Sequence, residues 1–535
     1  MNHHAPESGK KPMSDQAALT RRRFLQSTAV VAAAIPTARL SPAAAQSHSW
    51  FQHGVASGDP TPDSVILWTR VTPSPDAVPG SGRGSTVTLV WEVAREASIS
   101  TVVARGTVST GPERDHTVHI DAGGLEPATR YFYRFTSPTG QHSPVGTTTT
   151  LADENTPLTS LTLAVASCAN WESGHFAAYG DIARRATAGE LDAVIFLGDY
   201  IYEYGRGQFT GKQGAVRHME PPGETITLDQ YRTRYGLYRT DPQLQAAHAA
   251  VPWIVMWDDH ETANDAWRDG AQNHNPGDGD WQARKQASLQ AYVEWMPIRA
   301  TSGTVFYRSF RFGDLAQLSM VDLRSFRDIP PSREQWLAGH RSGTMMGSEQ
   351  FAWLKTQVEH SSARWNVIGS SVMFSPMQIT GHPHFRLPQP IPTNLDQWDG
   401  YAQERDRLLM ILAGTAKPSL FLAGDIHSEW GSTISVDGRQ IGAELVCSSI
   451  TSPNVDDFAK LPENNQLSVG TEAFIRDNCP HVRHVDLDAH GYALASLSPD
   501  AVGFTWVRVT DITRSDSPVG DAIGLEWVFE HGFTY

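Results

Sequence analysis

Cysteine is the first thing this chain has little of. Cys168, Cys447 and Cys479 are its only three in 535 residues, which cannot make a disulfide framework, and the odd number leaves at least one thiol that must be buried, bound or reactive. Long apolar runs are missing as well. The run from Ser27 to Ile35 falls well short of the roughly 20 residues a membrane span requires, and no later stretch reaches that length without charges. A stable membrane anchor is therefore not expected. Positive charge is short too, the formal balance being −15. Such a chain repels polyanions at long range, so nucleic acid is a poor partner and a phosphate-bearing substrate needs cations to bring it in. What remains, 19% charged and 40% hydrophobic residues, is a globular balance with enough apolar surface for a sizeable core. The length points to two folded domains.

The N-terminus is distinctive. Arg21, Arg22 and Arg23 with Phe24 and Leu25 precede the Ser27–Ile35 run, and a small-residue stretch ends at Ala43, Ala44 and Ala45. Charged, apolar and cleavage regions in that order make an export signal, and the paired arginines followed by Phe-Leu resemble the twin-arginine type. Residues 1–45 are read as that signal, with the export machinery as a partner and a periplasmic or extracellular destination. Its removal takes away six basic and two acidic residues and leaves a net charge of −19. Cargo of this route crosses folded, so metal can be loaded before export.

Residues 47–151 show short alternating segments. Val87, Leu89, Trp91 and Val93 fall on one face and Thr88 and Glu92 on the other, the period-two pattern of a half-buried strand. The run Leu125 to Tyr133 looks like the corner of a fibronectin-type sandwich, in which a tyrosine hydroxyl bonds back to nearby backbone. A small β-sandwich without catalytic residues is expected. From residue 158 to 535 apolar strands alternate with helical segments, an α/β or mixed-sheet pattern. Phe176, Tyr179, Ile182 and Ala186 recur at helical spacing before Gly189, Trp281–Trp295 reads as a helix, and Asp269–Asp280 as a long loop.

One apolar strand after another runs straight into metal ligands. The segment from Leu161 leads to Cys168 and Asn170; that from Ala193 leads to Asp199 and Tyr202. Trp253 to Trp257 leads to Asp258, Asp259, His260 and Glu261, and Leu420 to Gly424 leads to Asp425 and His427. Loops at the carboxyl ends of strands converge over a rigid base, so these groups form one shell. Consecutive carboxylates after an apolar strand repel and must be compensated. A carboxylate such as Asp199 bridges paired cations against their repulsion, and paired cations both polarise a phosphoryl oxygen and acidify water. Tyr202 with Cys168 favours ferric iron. Asp259, Asn264 and Asp425 suit calcium, and Asp258 is added from its neighbourhood.

The motifs Gly198-Asp199-Tyr200-Ile201-Tyr202, Asp258-Asp259-His260-Glu261 and Gly424-Asp425-Ile426-His427 resemble the PhoD-like alkaline phosphatases, a branch of the calcineurin-like metallophosphoesterases. The resemblance spans nearly the whole chain. It implies a four-layer αββα sandwich behind the small β-sandwich, one ferric and two calcium ions, a bridging role for Asp199 and iron ligation by Tyr202, Cys168 and His427, with Asp425 on a second cation. The wider superfamily adds a histidine from another strand, but Val367 to Met373 carries none. The expected reaction is attack of metal-held hydroxide on phosphorus, with His260 orienting phosphate or protonating the leaving oxygen. Arg324 and Arg327, which follow the strand ending at Asp322, are candidates for stabilising phosphoryl charge. Rivals on the same sequence are a phospholipase D and a non-catalytic wall-polymer binding protein with structural metals.

Overall fold

The computed structural model describes residues 49–300, 305–382, 385–529 and 531–534; the signal expected over residues 1–45 lies outside them. The two strands that end at Cys168 and Asp199, Leu161–Ala166 and Ala193–Phe196, pair in parallel, and Trp253–Val255 pairs in parallel with the second. Their residues are apolar and almost wholly buried, as parallel strands covered on both faces must be. They sit mid-way in a ten-stranded sheet. On one side Gly491–Leu497, Ala501–Val509, Val519–Val528 and Gly532–Thr534 continue it; on the other, Val55–Gly58, Ser64–Arg70 and Thr117–Gly123.

A second, seven-stranded sheet runs in the order Arg308–Phe312, Ala316–Met320, Trp365–Gly369, Ser419–Ala423, Arg439–Val446, Glu429–Val436, Val482–Asp486. Its inner face shares one core with the first sheet: Leu318, Val367, Leu420, Leu422 and Leu445 pack into the cluster that holds Leu163, Val165, Val194 and Ile254. Its outer face is covered by Leu354 and Val358 of the helix Gly347–His360 and by Leu408 and Leu412 of Ala402–Gly414. The first sheet is covered by Ala177–Thr187 and Pro242–Ala250. Helix, sheet, sheet, helix is the four-layer α/β architecture expected, and the helices at Ala177–Thr187 and Trp281–Trp295 lie where the spacing puts them. Among the described residues, no helix is long and apolar enough to cross a membrane.

The β-sandwich is present, with one departure from the plain reading. Val55, Val65, Leu67 and Val118 from the three added strands form its core with Leu89, Val93, Tyr131 and Phe135, the latter four from the sheet Val102–Thr110, Val87–Ala94, Arg130–Thr136, Gly146–Thr149. The first of its sheets is therefore continuous with the catalytic one, joined by parallel pairing of Gly58 with Trp253. An edge that would otherwise be open is closed this way. The tyrosine corner is there too: the Glu126 backbone N–H donates to the Tyr131 hydroxyl at 2.9 Å.

Asp59 fastens this junction. It is buried, receives a two-pronged bond from Arg308 at 2.8 and 2.9 Å, and accepts the Arg299 backbone N–H at 2.8 Å. Removing one partner of a buried ion pair strands the other charge, at a cost of roughly 3 kcal/mol. Asp59→Ala is expected to lower the unfolding free energy by about that much in urea titration; a loss under about 1 kcal/mol would mean the junction does not depend on it.

Candidate metal centre

The four ligand-bearing strand ends meet. Three come from the first sheet and the fourth, Ser419–Ala423, from the second, so the site lies where the two sheets face each other. The turn after each strand is tight. Cys168, Asp199, Asp425 and His427 all have positive φ, between +55° and +66°, a conformation that ordinary side chains visit rarely and that collects at functional sites. Two glycines permit the approach: a Cβ on Gly198 would lie 2.3 Å from that of Asp258, and one on Gly424 would lie 2.4 Å from the Ser167 hydroxyl.

Ligand atoms of Cys168, Asp199 and His427 fall within 4.8 Å of one another, as do those of Asp258, Asp259 and Asp425, and those of Asp199, Asp259 and His260. The Tyr202 hydroxyl joins the first group, donating to Asp199 Oδ2 at 2.9 Å and lying 3.1 Å from His427 Nε2. Ser452 donates to the same hydroxyl at 2.5 Å. His427 Nδ1 faces the Pro453 carbonyl at 2.7 Å. A carbonyl only accepts, so Nδ1 carries the proton and Nε2 presents its lone pair to the centre. Burial lowers the His427 pKa to about 4, which keeps that lone pair available at neutral pH.

The residues fit cations. Asp199 Oδ1 and Asp259 Oδ1 are buried and receive no hydrogen bond, an arrangement that costs several kcal/mol unless something positive fills the gap. Burial, then the charges of Asp259, Asp258 and Glu261 against the opposing pull of His260, push the Asp199 carboxyl well above the usual carboxylate range. Burial and Asp258 do the same to Asp425. Burial and the neighbouring Asp199 raise both the Cys168 thiol and the Tyr202 phenol. The first group mixes sulfur, nitrogen and oxygen donors; the second is all carboxylate, the choice of a hard ion.

Arg324 is buried and forks onto Asp258 at 2.6 and 2.8 Å, with further bonds to Asp396 at 2.7 Å and Asp425 at 3.3 Å. Arg327 is spent on protein: its donors go to the Ala266 carbonyl, the Asp396 carbonyl and the Asp396 carboxylate. Neither arginine is exposed, and Asp322 accepts the backbone N–H groups of Arg324 and Ser325. Asn264 gives its side-chain amide to Gln272 at 3.0 Å and its backbone N–H to Glu203 at 2.8 Å. Glu261 belongs to none of these ligand groups. It accepts the backbone N–H groups of Asp199, Tyr200 and Asp258 and so ties two of the four turns together. Among the described residues all three cysteines are unpaired and buried.

Three carboxylates were not anticipated. Glu203 is fully buried and accepts from His260 Nδ1 at 2.7 Å, with Asn273 and the Asn264 backbone also donating to it. Burial works against a charged His260, but Asp259, Glu203 and Asp199 outweigh it and hold the imidazole pKa well above its ordinary value. Asp396 bridges the two arginines. Asp265 sits near both Asp396 and Asp259 with its pKa raised to about 7, chiefly by burial. Glu203 stands directly after Tyr202 in the strongest motif and was within reach of sequence; Asp396 lies in a loop with no pattern around it.

Known proteins match the chain over most of its length. A family model described as PhoD-like phosphatase matches residues 163–506, and one described as the N-terminal domain of PhoD-like phosphatases matches residues 36–152. Alkaline phosphatase D of Bacillus subtilis (strain 168) is 36% identical over 476 residues, covering 84% of this chain and 76% of that protein. A solved structure of PhoD superposes with a TM-score of 0.81 at 33% identity, covering 91% of this chain and 92% of that one.

Because Glu203 fixes the ring orientation and charge of His260, Glu203→Gln should cut turnover about 10- to 100-fold while leaving the fold intact. Steady-state rates within twofold of wild type would show that the pair does not matter.

Proposed function

This chain belongs to the PhoD-like phosphatase family, and from that premise we propose that it is an exported, metal-dependent phosphoesterase that hydrolyses phosphomonoesters, phosphodiesters or both. The observation that carries the reading is the convergence of Cys168, Asp199, Tyr202 and His427 beside Asp258, Asp259 and Asp425, with two buried carboxylate oxygens left without donors.

In this reading Cys168, Asp199, Tyr202 and His427 would hold a ferric ion and Asp258, Asp259 and Asp425 would hold calcium, with Asp199, which also falls within reach of Asp259, between the two groups. Bound there, the cations would polarise the phosphoryl oxygen and acidify a water molecule. The protein's own share is positioning and charge. Arg324 offers a fixed guanidinium beside the carboxylates; its 3.3 Å contact with Asp425 and 3.7 Å approach to Asp259 are its loosest, and are the ones a phosphoryl oxygen can replace. Arg327 acts one step back by holding Asp396. His260, whose Nδ1 bonds Glu203 at 2.7 Å, is placed to give a proton to the departing alkoxide oxygen, and Glu203 steadies the ring while it does so. The N-terminal sandwich contributes no group to the centre and serves as a brace for the sheet. Residues 1–45 act as the twin-arginine signal and deliver the folded protein beyond the cytoplasm.

Purified protein assayed on nitrophenyl phosphate, bis-nitrophenyl phosphate and phosphatidylcholine tests this directly. Hydrolysis of one or both nitrophenyl esters is expected, abolished by a chelator and by Asp199→Ala. Cleavage of phosphatidylcholine alone would move the activity to a phospholipase D, and metal-loaded protein inert on all three would favour the binding-protein alternative.

A further inference from the structure

The metal centre has an aromatic wall that the chemistry described so far does not use. Phe209 stacks on Tyr202 with ring centroids 5.6 Å apart and planes 17° from parallel, and Tyr204 lies 5.1 Å away on another side of it. The Phe209 ring is also 6.1 Å from that of His260 and 6.4 Å from that of His427. Beyond it, at 6.0 Å, comes Phe458, whose side chain is 62% exposed. A single exposed apolar side chain needs no explanation. Here, however, it ends a continuous row of rings that begins at a group in the metal centre and runs out to solvent. Val455, one helical turn before Phe458 on Val455–Ala459, is exposed too and widens the apolar rim.

The wall is held still. The Phe209 carbonyl accepts from Asn170 Nδ2 at 2.9 Å, and the Gly211 N–H donates to Ser173 at 3.1 Å; both partners lie just beyond the turn that carries Cys168. The Lys212 N–H donates to Asp457 at 3.2 Å, and the Lys212 ammonium pairs with Asp456. Phe209 is thus fastened on one side to the Cys168 turn and on the other to the short helix that carries Phe458. The backbone that carries Phe209 is therefore in place before a substrate arrives, which preserves contact energy for binding.

We infer that Phe209 and Phe458 form a leaving-group subsite that selects phosphate esters carrying an aromatic or other flat apolar group. The inference rests on the phosphoesterase reading above. The Phe209 ring lies 6.1 Å from that of His260, beside the candidate metal-holding groups, and Phe458 continues the row outward, so a leaving group that extends from the centre towards solvent runs along this wall. A small polyol ester has nothing to place there.

Steady-state kinetics on 2-naphthyl phosphate and glycerol 1-phosphate, with wild type, Phe458→Ala and Phe458→Trp, test this. Comparing variants on each substrate cancels the difference in leaving-group acidity, and the exposure of Phe458 makes it a safe position for the fold. In Phe458→Ala the ratio of kcat/KM for the naphthyl ester over the glycerol ester should fall roughly fivefold, through KM, as expected for one aromatic contact. Phe458→Trp should retain or raise the ratio. An unchanged ratio in Phe458→Ala, or a wild type that cleaves bis-nitrophenyl phosphate but neither monoester, would overturn the subsite and leave the phosphoesterase reading standing, whereas a wild type inert on all three would overturn both.

Discussion

Mutual repulsion among buried carboxylates is the constraint around which this molecule is organised. Asp199, Asp258, Asp259, Asp265, Asp396 and Asp425 meet at the mouth between two sheets, with Glu203 and Glu261 close behind, and among the described residues the cations that face them are Arg324, Arg327 and His260. In water such groups would drift apart; within a low-dielectric interior each adds to the cost of ionising the next. The arginines offset part of that charge. The rest stands as a demand for metal, written in the raised affinity of Asp199 and Asp425 for protons and in the carboxylate oxygens left without donors.

Holding such a set together takes a stiff frame, and the architecture supplies one. Apolar strands buried on both faces fix where each turn begins, and the left-handed residues at the turns aim the ligands inward. Glycine at 198 and 424 lets neighbouring turns come within contact distance. Glu261, itself a carboxylate, spends its charge on three backbone N–H groups and locks two turns in register. Even the sandwich takes part: by extending the catalytic sheet past Trp253 it protects an edge next to the turn that carries Asp258, Asp259 and His260.

The sequence made legible what is local. An apolar run followed by Asp, Cys or His announces a strand end with a candidate ligand on it, and Cys168, Asp199, Tyr202, Asp259, Asp425 and His427, which the fold brings together, could all be named on that ground. The sandwich, its tyrosine corner and the helix from Trp281 to Trp295 were equally visible in periodicity. What depends on long-range pairing was not. That Val55–Gly58 would add to the catalytic sheet has no local sign, since its pairing partner lies almost two hundred residues on. The arginines were identified while their partners were not, because Asp396 comes from a loop and Asp258 from a different strand. Nor could periodicity show that Phe209 and Phe458, distant in the chain, extend the ring of Tyr202 into one wall.

Whether this frame exists to cage a phenolate-bound and thiolate-bound iron beside a hard cation can be read from one preparation. Elemental analysis combined with the visible absorption spectrum of wild type and Tyr202→Phe is the direct measurement. The account predicts iron and calcium in the wild type, a visible charge-transfer band, and a band lost or displaced when the phenol is removed. A colourless, iron-free protein with full activity would contradict it.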